Sequence, residues 1–284
     1  MISIIIPAHN EGPVIARSLR AMTDCAELGE LDVIVVCNGC SDNTATVARG
    51  FGSPVRVIET DVAGKTHALN LGDRAAFGFP RVYADADVVI RIDSIRKLAA
   101  RLQQGNILAV APTPEFDFSG CSCAVRACFD VRSSLPSANH GIGGSGVYAL
   151  SEVGRRRFAE FPAMTADDGF VRIHFLQEER EMLADARSLV FPPKRMKDLI
   201  ATKVRAHYGL FELASKYPEL WKNNGERNHR SLLRMFKDVR LWPKLAIYSF
   251  VTIVAKRRAL SRLRNKAITW ERDNTSRALR GLDQ

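Results

Sequence analysis

Short apolar runs alternate with stretches of helical spacing along the first two thirds of the chain. Residues 3–6 predict a buried strand that Pro7 ends, and residues 12–22 repeat apolar side chains at helical spacing. Further strands are predicted at residues 31–37, 55–59, 81–84 and 106–112, with helices within 41–50, 65–76, 93–105, 151–158 and 164–176. This alternation predicts an α/β fold with a mainly parallel sheet that helices cover on both faces. From residue 196 onward the chain reads as mostly helical and basic.

Polar residues follow the first four predicted strands directly. In an open parallel sheet, ligands bind outside the carboxyl ends of the strands, so these residues are expected along one rim. They are His9, Asn10, Glu11, Asn38, Asp42, Lys65, Asp85 and Asp87. A purely structural chain has no need to gather so many polar side chains there, so the pattern predicts a binding site.

Asp85 and Asp87 stand one residue apart at the end of the fourth strand. On an extended chain end, two such aspartates can share Mg²⁺ or Mn²⁺, which prefer oxygen ligands and usually keep waters and substrate phosphates. A cation there would stabilise a diphosphate leaving group. A capping or turn role is the alternative for either acid, and the other rim segments favour the cation site.

The net charge of +10 is concentrated in the last third of the 284-residue chain. Residues 191–284 contain 22 Lys and Arg against 8 Asp and Glu, whereas the preceding residues are slightly acidic. This indicates an anionic partner, such as membrane phospholipid, a phosphorylated acceptor or nucleic acid, or else a solvated helical face. The segment lacks a nucleic-acid reading motif and interleaved stacking aromatics, so we expect no nucleic-acid partner.

The six cysteines come without a recognisable secretory leader, which indicates a reducing cytoplasm. A zinc site is one interpretation of two cysteine pairs, Cys37 with Cys40 and Cys121 with Cys123. The second spacing is too tight for a zinc knuckle, however, and no His pair accompanies either pair. We therefore expect buried or loop thiols.

The order of the motifs resembles that of a family-2 glycosyltransferase with the GT-A fold. The segments that carry the resemblance are SIIIPAHNE, VIVVCNGCSDNTATVAR, AGKTHALNLG, YADADVVI, GGSGVYAL and TADDGFV. It implies a catalytic domain at residues 1–191, with a nucleotide-sugar-binding half at 1–92 and an acceptor half at 93–191. A helical basic region would follow at 192–284.

The resemblance also implies roles for individual residues. Those assigned to the nucleotide and its diphosphate are Pro7, His9, Asn10, Glu11, Asn38, Asp42 and Lys65. Asp85 would lie near the ribose or sugar, and Asp87 would bind Mn²⁺ or Mg²⁺ directly. Cys37 and Asn38 stand where the family often has two acids, which leaves the base of the donor open. The structural alternatives are that Asn10 and Glu11 cap a helix and that Lys65 is a surface lysine.

An inverting transfer needs a carboxylate that takes the proton from the acceptor hydroxyl. Asp167 and Asp168 are the candidates, and by position in the motif Asp168 resembles the usual base, although their adjacency leaves both open. The alternative is that both acids only stabilise a helix N-terminus, for which Thr165 resembles a cap.

The last third of the chain bears on the product and on localisation. It has no Gln-x-x-Arg-Trp motif and no apolar span of about twenty residues, so we expect one added sugar rather than a polymer. Apolar residues 245–255 precede dense basic charge, which suits a membrane surface with Trp242, Tyr248 and Trp270 as anchors. A core helix with a basic tail explains the same residues.

The resemblance therefore implies transfer of a sugar from a nucleoside-diphosphate-sugar to a hydroxyl of a glycan or lipid-linked acceptor. We expect a cytoplasmic protein, peripheral at the inner face of the plasma membrane. The alternatives are a nucleotidyltransferase and a catalytically silent protein that binds nucleotide-sugars or glycans. A nucleotidyltransferase would have a basic, Gly-rich phosphate loop after the first strand, and residues 7–12 are not one.

Overall fold

The computed structural model of the chain describes residues 1–138, 142–225 and 228–265. The strands in these ranges are β1 (Ile2–Ala8), β2 (Leu31–Asn38), β3 (Val55–Thr60), β4 (Arg81–Ala84), β5 (Val89–Ile90), β6 (Ala109–Phe116), β7 (Val147–Leu150) and β8 (Arg180–Val190). The helices are α1 (Gly12–Thr23), α2 (Thr44–Arg49), α3 (Lys65–Ala75), α4 (Ile92–Gln103), α5 (Cys123–Ser133), α6 (Glu152–Arg155), α7 (Asp167–Ile173), α8 (Met196–Lys216), α9 (Pro218–Trp221), α10 (His229–Met235) and α11 (Trp242–Arg264).

The strands form one mixed sheet in the order β3-β2-β1-β4-β7-β6-β8-β5. β1 pairs in parallel with β2 and β4, β2 with β3, and β6 with β8. β7 runs antiparallel to both β4 and β6, and β5 runs antiparallel to β8. The prediction of a mixed, mainly parallel sheet is confirmed, and the carboxyl ends of β1 to β4 lie at one rim.

Both faces of the sheet are buried, which explains the continuous apolar runs. Ile4 and Ile6 belong to the core on the face covered by α1 and α4, whereas Ile5 belongs to the opposite core under α3 and α7. This alternation follows from the two-residue period of a strand. Helix α3 lies so close to β1 that a Cβ on Gly72 would come within 2.5 Å of Ile5 Cγ2.

Several predicted boundaries were wrong. Strand β1 continues through Pro7 to Ala8, because its pairing with β4 ends at Ile5 and the missing N–H of Pro7 therefore costs little. The strand predicted at residues 106–112 lies at Ala109–Phe116, and the helix predicted at 151–158 ends at Arg155.

Strand β8 was not predicted. Charged and exposed residues interrupt its apolar positions, so the sequence REMLADARSLV contains no buried run. Its place in the sheet comes from parallel pairing with β6.

The described part of the last third is mostly helical, as predicted, and packs on the sheet domain through α5. Helices α8 and α11 share a core with α5 that includes Leu199, Val204, Val251, Ala255, Ala259, Val125 and Cys128. The domain boundary at residue 191 stays a prediction. In the described ranges, no helix combines the length and the apolar character needed to cross a membrane. Trp270 lies outside them.

Candidate active site

The loops after β1 and β2 are held together by the side chains of Asn10 and Asp42. Asn10 has a positive φ of 53°, and its Oδ1 accepts a hydrogen bond from the backbone N–H of Ser41 at 2.7 Å. In return, the Asp42 carboxylate accepts one from the N–H of Gly12 at 3.0 Å. The approach is so close that a Cβ on Gly12 would lie 2.2 Å from Asn43 Oδ1. Two residues assigned to the nucleotide therefore also shape the mouth of the site.

Asn38, the last residue of β2, links three segments of the rim. Its buried amide nitrogen donates to the carbonyl of Ala8 at 2.8 Å, and its Oδ1 accepts from the N–H of Gly64 at 3.0 Å. His9 Nδ1 lies 2.6 Å from the carbonyl oxygen of Asn38. Because Gly64 directly precedes Lys65, Asn38 fixes the start of α3. A contact between Asn38 and the nucleotide stays a prediction, and it would have to compete with these bonds.

Glu11 is buried where α1 begins, and Pro7 is half-buried at the rim. The N–H of Glu11 donates to Thr44 Oγ1 at 2.8 Å, and its carbonyl accepts from Ile15 at 2.9 Å. Glu11 occupies the N-cap position of α1 without a side-chain capping bond. The interpretation of its side chain as a helix cap is therefore wrong.

Lys65 joins two carboxylates that are far apart in the sequence. Its Nζ lies 2.7 Å from Asp85 Oδ1 and 3.0 Å from Asp167 Oδ1. Lys65 begins α3, Asp85 follows β4, and Asp167 begins α7. The Asp167 side chain is only 7% exposed, against 39% for Asp85, so the pair with Asp167 is much less screened by water. The cluster thus connects the predicted donor half with the predicted acceptor half.

The cluster contains more negative charge than one lysine neutralises. Burial alone would lower the pKa of Lys65, but the carboxylates of Asp167 and Asp85 outweigh it and raise that pKa. Burial raises the pKa of Asp167 to about 6; Lys65 opposes this shift, and Asp168 and Asp85 add to it. Such a group of carboxylates favours binding of a further cation or of a proton.

The glycine loop, defined as residues 142–146, lies between Asp85 and Asp168. A Cβ on Gly143 would be 3.5 Å from Asp168 Oδ2, and one on Gly146 would be 3.4 Å from Asp85 Oδ2. The N–H of Asp85 donates to the carbonyl of Gly146 at 2.8 Å. Asp168, unlike its neighbour Asp167, is only half-buried. The loop therefore brings the two acids to opposite sides of one small site.

Asp85 and Asp87 occupy the first and third positions of a turn, because the N–H of Val88 donates to the carbonyl of Asp85 at 3.2 Å. The extended geometry assumed from the sequence is therefore wrong, although both acids remain at the rim. Arg17 of α1 donates to the carbonyl of Asp87 at 3.1 Å and so supports the turn from behind.

The first part of the chain is similar in sequence to known glycosyltransferases. Residues 3–121 match the family model described as Glycosyl transferase family 2. Over this part, which is less than half of the chain, the sequence is similar to glycosyl transferase family 2. The 4,4'-diaponeurosporenoate glycosyltransferase of Staphylococcus aureus (strain USA300) is 35% identical over 119 residues, which cover 39% of this chain. The matched part spans 31% of that relative's length.

Solved structures of glycosyltransferases share the fold of this chain. The mannosyltransferase PcManGT from Pyrobaculum calidifontis, in complex with GDP-Man and Mn²⁺, superposes with a TM-score of 0.57 at 19% identity and covers 94% of this chain and 76% of its own. Glucosyl-3-phosphoglycerate synthase from Mycobacterium tuberculosis, with Mg²⁺ and UDP, gives 0.54 at 19% identity over 76% of this chain and 78% of its own. The predicted GT-A fold is confirmed.

The ligand atoms that Asp85 and Asp87 offer fit a hard cation whose other ligands come partly from a substrate. Asp85 and Asp87 offer carboxylate oxygens only, which Mg²⁺ and Mn²⁺ prefer. In the described part of the chain, no three His, Cys, Asp or Glu side chains gather as a metal site. A cation held by the two aspartates would complete its shell with diphosphate oxygens and waters. The six cysteines are free thiols, and burial raises the pKa of Cys37 to about 12, which disfavours a zinc thiolate there.

Helix α7 is held in place by α8 and not by the predicted cap. The N-cap position belongs to Ala166, which makes no side-chain capping bond, so the prediction of Thr165 as the cap was wrong. The N–H of Thr165 instead donates to Glu212 at 3.1 Å. A Cβ on Gly209 would lie 2.7 Å from that of Ala166, so α8 packs tightly against this loop and fixes both acids.

Tyr148 is a residue of this site that the sequence analysis missed. It lies on β7 opposite Tyr83, and the two rings stack with centroids 5.0 Å apart. Burial raises the pKa of Tyr148, and the carboxylates of Asp167 and Asp168 add to this shift. Its position two residues after Gly146, at the start of a strand, is the one sequence signal that marked it.

Proposed function

We propose that the protein transfers one sugar from a nucleoside-diphosphate-sugar to a hydroxyl of a lipid-linked or glycan acceptor, with inversion and with a divalent cation. The observation that carries this proposal is the ion-pair cluster of Lys65 with Asp85 and Asp167. This cluster joins Lys65 and Asp85, which we assign to the donor, to Asp167 in the acidic motif that we assign to the acceptor.

On the donor side, the nucleotide occupies the mouth formed by the loops after β1 and β2, and Lys65 turns toward its diphosphate. Asp85 and Asp87 would hold the cation, which supplies positive charge to the leaving diphosphate when bound. Two relatives in fold support this assignment, because one was solved with GDP-Man and Mn²⁺ and the other with Mg²⁺ and UDP.

On the acceptor side, Asp168 acts as the general base. The Asp167 side chain is 7% exposed and paired with Lys65, whereas Asp168 is half-buried beside the glycine loop and thus more accessible to an acceptor. The acceptor oxygen forms its bond to the anomeric carbon as the bond from that carbon to the diphosphate breaks. The hydroxyl proton passes to the Asp168 carboxylate. One displacement of this kind inverts the anomeric centre without a covalent enzyme intermediate.

Cations beside the glycine loop favour an acceptor that carries phosphate. The Arg132 guanidinium lies so close to the loop that a Cβ on Gly144 would be 2.2 Å from it. Burial and the charge of Arg132 lower the pKa of Lys203 to about 8. Lys203 Nζ also lies 5.2 Å from the ring centroid of Tyr248. An anionic group would relieve the repulsion between Lys203 and Arg132, as a phosphate on a lipid-linked acceptor does.

The exposed face of α10 and α11 suits contact with an anionic bilayer. Its exposed apolar side chains are Leu233, Phe236, Trp242, Phe250, Ile253 and Leu260. Residues 231–265 contain nine Lys and Arg against one Asp. Apolar area bordered by basic charge is the pattern of surface-binding helices, so we assign this face to the membrane that presents the acceptor.

Release of nucleoside diphosphate from UDP-, GDP- and dTDP-sugars, with and without Mn²⁺, tests this proposal. Wild type is expected to release product from one donor only when Mn²⁺ is present, and Asp87→Ala is expected to lose that release. Calorimetry with the three nucleoside diphosphates on the same samples provides the control, since hydrolysis without acceptor is slow in many transferases. Binding of none of them by the wild type contradicts the proposal.

A further inference from the structure

Tyr83 and Tyr148 have stacked rings but hydroxyls in different surroundings. They face each other in the register of β4 and β7, and their ring planes are inclined by 22°. The Tyr83 hydroxyl donates to Asp73 at 2.6 Å. The Tyr148 hydroxyl is also buried, yet within the described ranges it makes no hydrogen bond. A buried hydroxyl without a partner is destabilising, so its presence calls for a partner in another state of the molecule.

Tyr148 packs beside the helix that carries the acidic motif. It belongs to one core cluster with Phe170 and Val171 of α7, and Asp167 begins this helix. Burial is the main cause of the raised pKa of Tyr148, and the carboxylates of Asp167, Asp168 and Asp85 add to it. The chain path agrees, because Tyr148 follows by two residues Gly146, whose carbonyl accepts from Asp85. Asp167 is 5% exposed, so little water competes for its oxygens.

We propose that Tyr148 is a positioning residue that donates a hydrogen bond to Asp167 when donor binding draws Lys65 away. This inference rests on the proposed function, in which Lys65 turns to the diphosphate. In the structure Lys65 supplies the counter-charge of Asp167 at 3.0 Å. Once that charge moves, the phenolic hydroxyl is the buried donor near Asp167, and its bond keeps the carboxylate oriented beside Asp168.

The groups that face Asp167 come from four elements. They are Lys65 from α3, Asp85 from the turn after β4, Asp168 from α7 itself and Tyr148 from β7. Lys65 and Tyr148 are the donors among them. A loss of Tyr148 therefore affects Asp167 most when Lys65 is occupied by a ligand.

NMR of protein labelled with carbon-13 at the tyrosine ζ carbons tests, without turnover, whether the Tyr148 hydroxyl replaces Lys65 as the donor to Asp167. The resonance of Tyr148 is identified by its absence in Tyr148→Phe, and that of Tyr83 by its absence in Tyr83→Phe. Saturation with Mg²⁺ and the nucleoside diphosphate that calorimetry shows to bind is expected to shift the Tyr148 resonance in wild type. Asp167→Asn is expected to remove most of this shift, and the Tyr83 resonance is expected to stay in place. Nucleotide binding with the Tyr148 resonance unmoved overturns the inference alone, whereas binding of no nucleoside diphosphate overturns the proposed function and the inference with it.

The turnover rate and thermal stability of Tyr148→Phe and Tyr83→Phe give a second test. Tyr148→Phe is expected to lower nucleoside diphosphate release about tenfold or more, because a hydrogen bond to a charged group is lost, while nucleotide affinity is kept. The acidic limb of its pH profile is expected to move to higher pH, since a donor that favours ionised Asp167 is gone. Its Tm should equal or exceed that of wild type, whereas Tyr83→Phe should lower Tm and keep the rate. Wild-type rates and an unchanged pH profile in Tyr148→Phe contradict the inference.

Discussion

Lys65 Nζ and Asp167 Oδ1 lie 3.0 Å apart, which ties the first residue of α3 to the first residue of α7. The same lysine contacts Asp85 at 2.7 Å, so one side chain holds together two acids that are far apart in the sequence. The Asp167 side chain is 7% exposed. A ligand that attracts Lys65 therefore changes the electrostatic environment of both acids at once, and under the proposed function this would couple donor binding to the acceptor side.

The raised pKa of Asp167 predicts a specific dependence of stability on pH. Burial raises this pKa from 3.8 to about 6, so the folded state binds the proton more tightly than the unfolded state does. The free energy of unfolding should therefore fall as pH rises from about 4 to about 6, by about 1–3 kcal/mol from this group. Lys65 is charged in both states throughout this window and contributes no slope.

Urea unfolding of wild type and Asp167→Asn at pH 4.5 and pH 7 measures this contribution. The wild-type protein should lose more free energy of unfolding between the two pH values than the variant does. Asp93→Asn serves as the control, because Asp93 stands in the first turn of α4 with a side chain 78% exposed. An equal pH dependence in wild type and Asp167→Asn would show that Asp167 titrates normally.

Replacement of Asp168, the proposed general base, should lower turnover without lowering nucleotide affinity. Asp168→Asn removes the proton acceptor and keeps the shape of the side chain, so turnover should fall about 10²- to 10⁴-fold. Affinity for the nucleoside diphosphate should stay within a factor of three, which calorimetry measures. Asp93→Asn again provides the matched control and should keep turnover. Full turnover in Asp168→Asn excludes it as the base, and absence of turnover in wild type with every donor favours a silent binding protein.

The glycine loop should be sensitive to one added methyl group. Gly146 has a φ of 66°, and a Cβ there would lie 2.5 Å from Val88 Cγ2, next to the Asp85 turn. Gly105 also has a positive φ, 83°, but has no atom within 4 Å of such a Cβ. Gly105→Ala should thus cost only the conformational strain, about 1 kcal/mol, and Gly146→Ala about 1–3 kcal/mol more. Urea unfolding compares them, and equal losses would mean that the loop moves aside freely.

The local pattern of apolar and polar residues was sufficient to predict much of the fold. β1 to β4 are nearly continuous apolar runs because helices cover both faces of the sheet, and α1 and α4 show clear helical spacing. β8 was missed because its place depends on pairing with β6, and its charged positions hide the strand period. Pro7 misled the prediction for β1, since its tolerance depends on where a neighbouring strand ends.

The candidate site was predictable as a set of residues but not as a network. Sequence order placed Lys65 and Asp85 at one rim, yet the pairing of Lys65 with Asp167 requires α7 to fold back over that rim. The hydrogen bonds of Asn10 to the neighbouring loop depend on a left-handed backbone conformation that the sequence does not reveal. Among the described residues the buried Tyr148 hydroxyl makes no hydrogen bond, which follows from tertiary packing and could not be predicted from the sequence.

The exposed face of α10 and α11 should determine binding to anionic vesicles. Phe250 and Ile253 are 60% and 51% exposed on a helix whose opposite side packs on α5 and α8. The double variant Phe250→Ser with Ile253→Ser removes apolar area that a bilayer would bury, so the partition coefficient should fall about tenfold or more. Co-sedimentation of the full chain with vesicles of phosphatidylglycerol and phosphatidylcholine measures it.

Leu28→Ser is the matched control, because Leu28 is fully exposed but lies between Glu27 and Glu30 in the sequence and outside α10 and α11. It should bind vesicles as wild type does. Binding of wild type should also weaken as salt is raised, since basic residues attract the anionic lipid only over a Debye length of about 10 Å at 0.1 M salt. Equal sedimentation of the double variant and Leu28→Ser would show that the apolar side chains of Phe250 and Ile253 contribute nothing to vesicle binding.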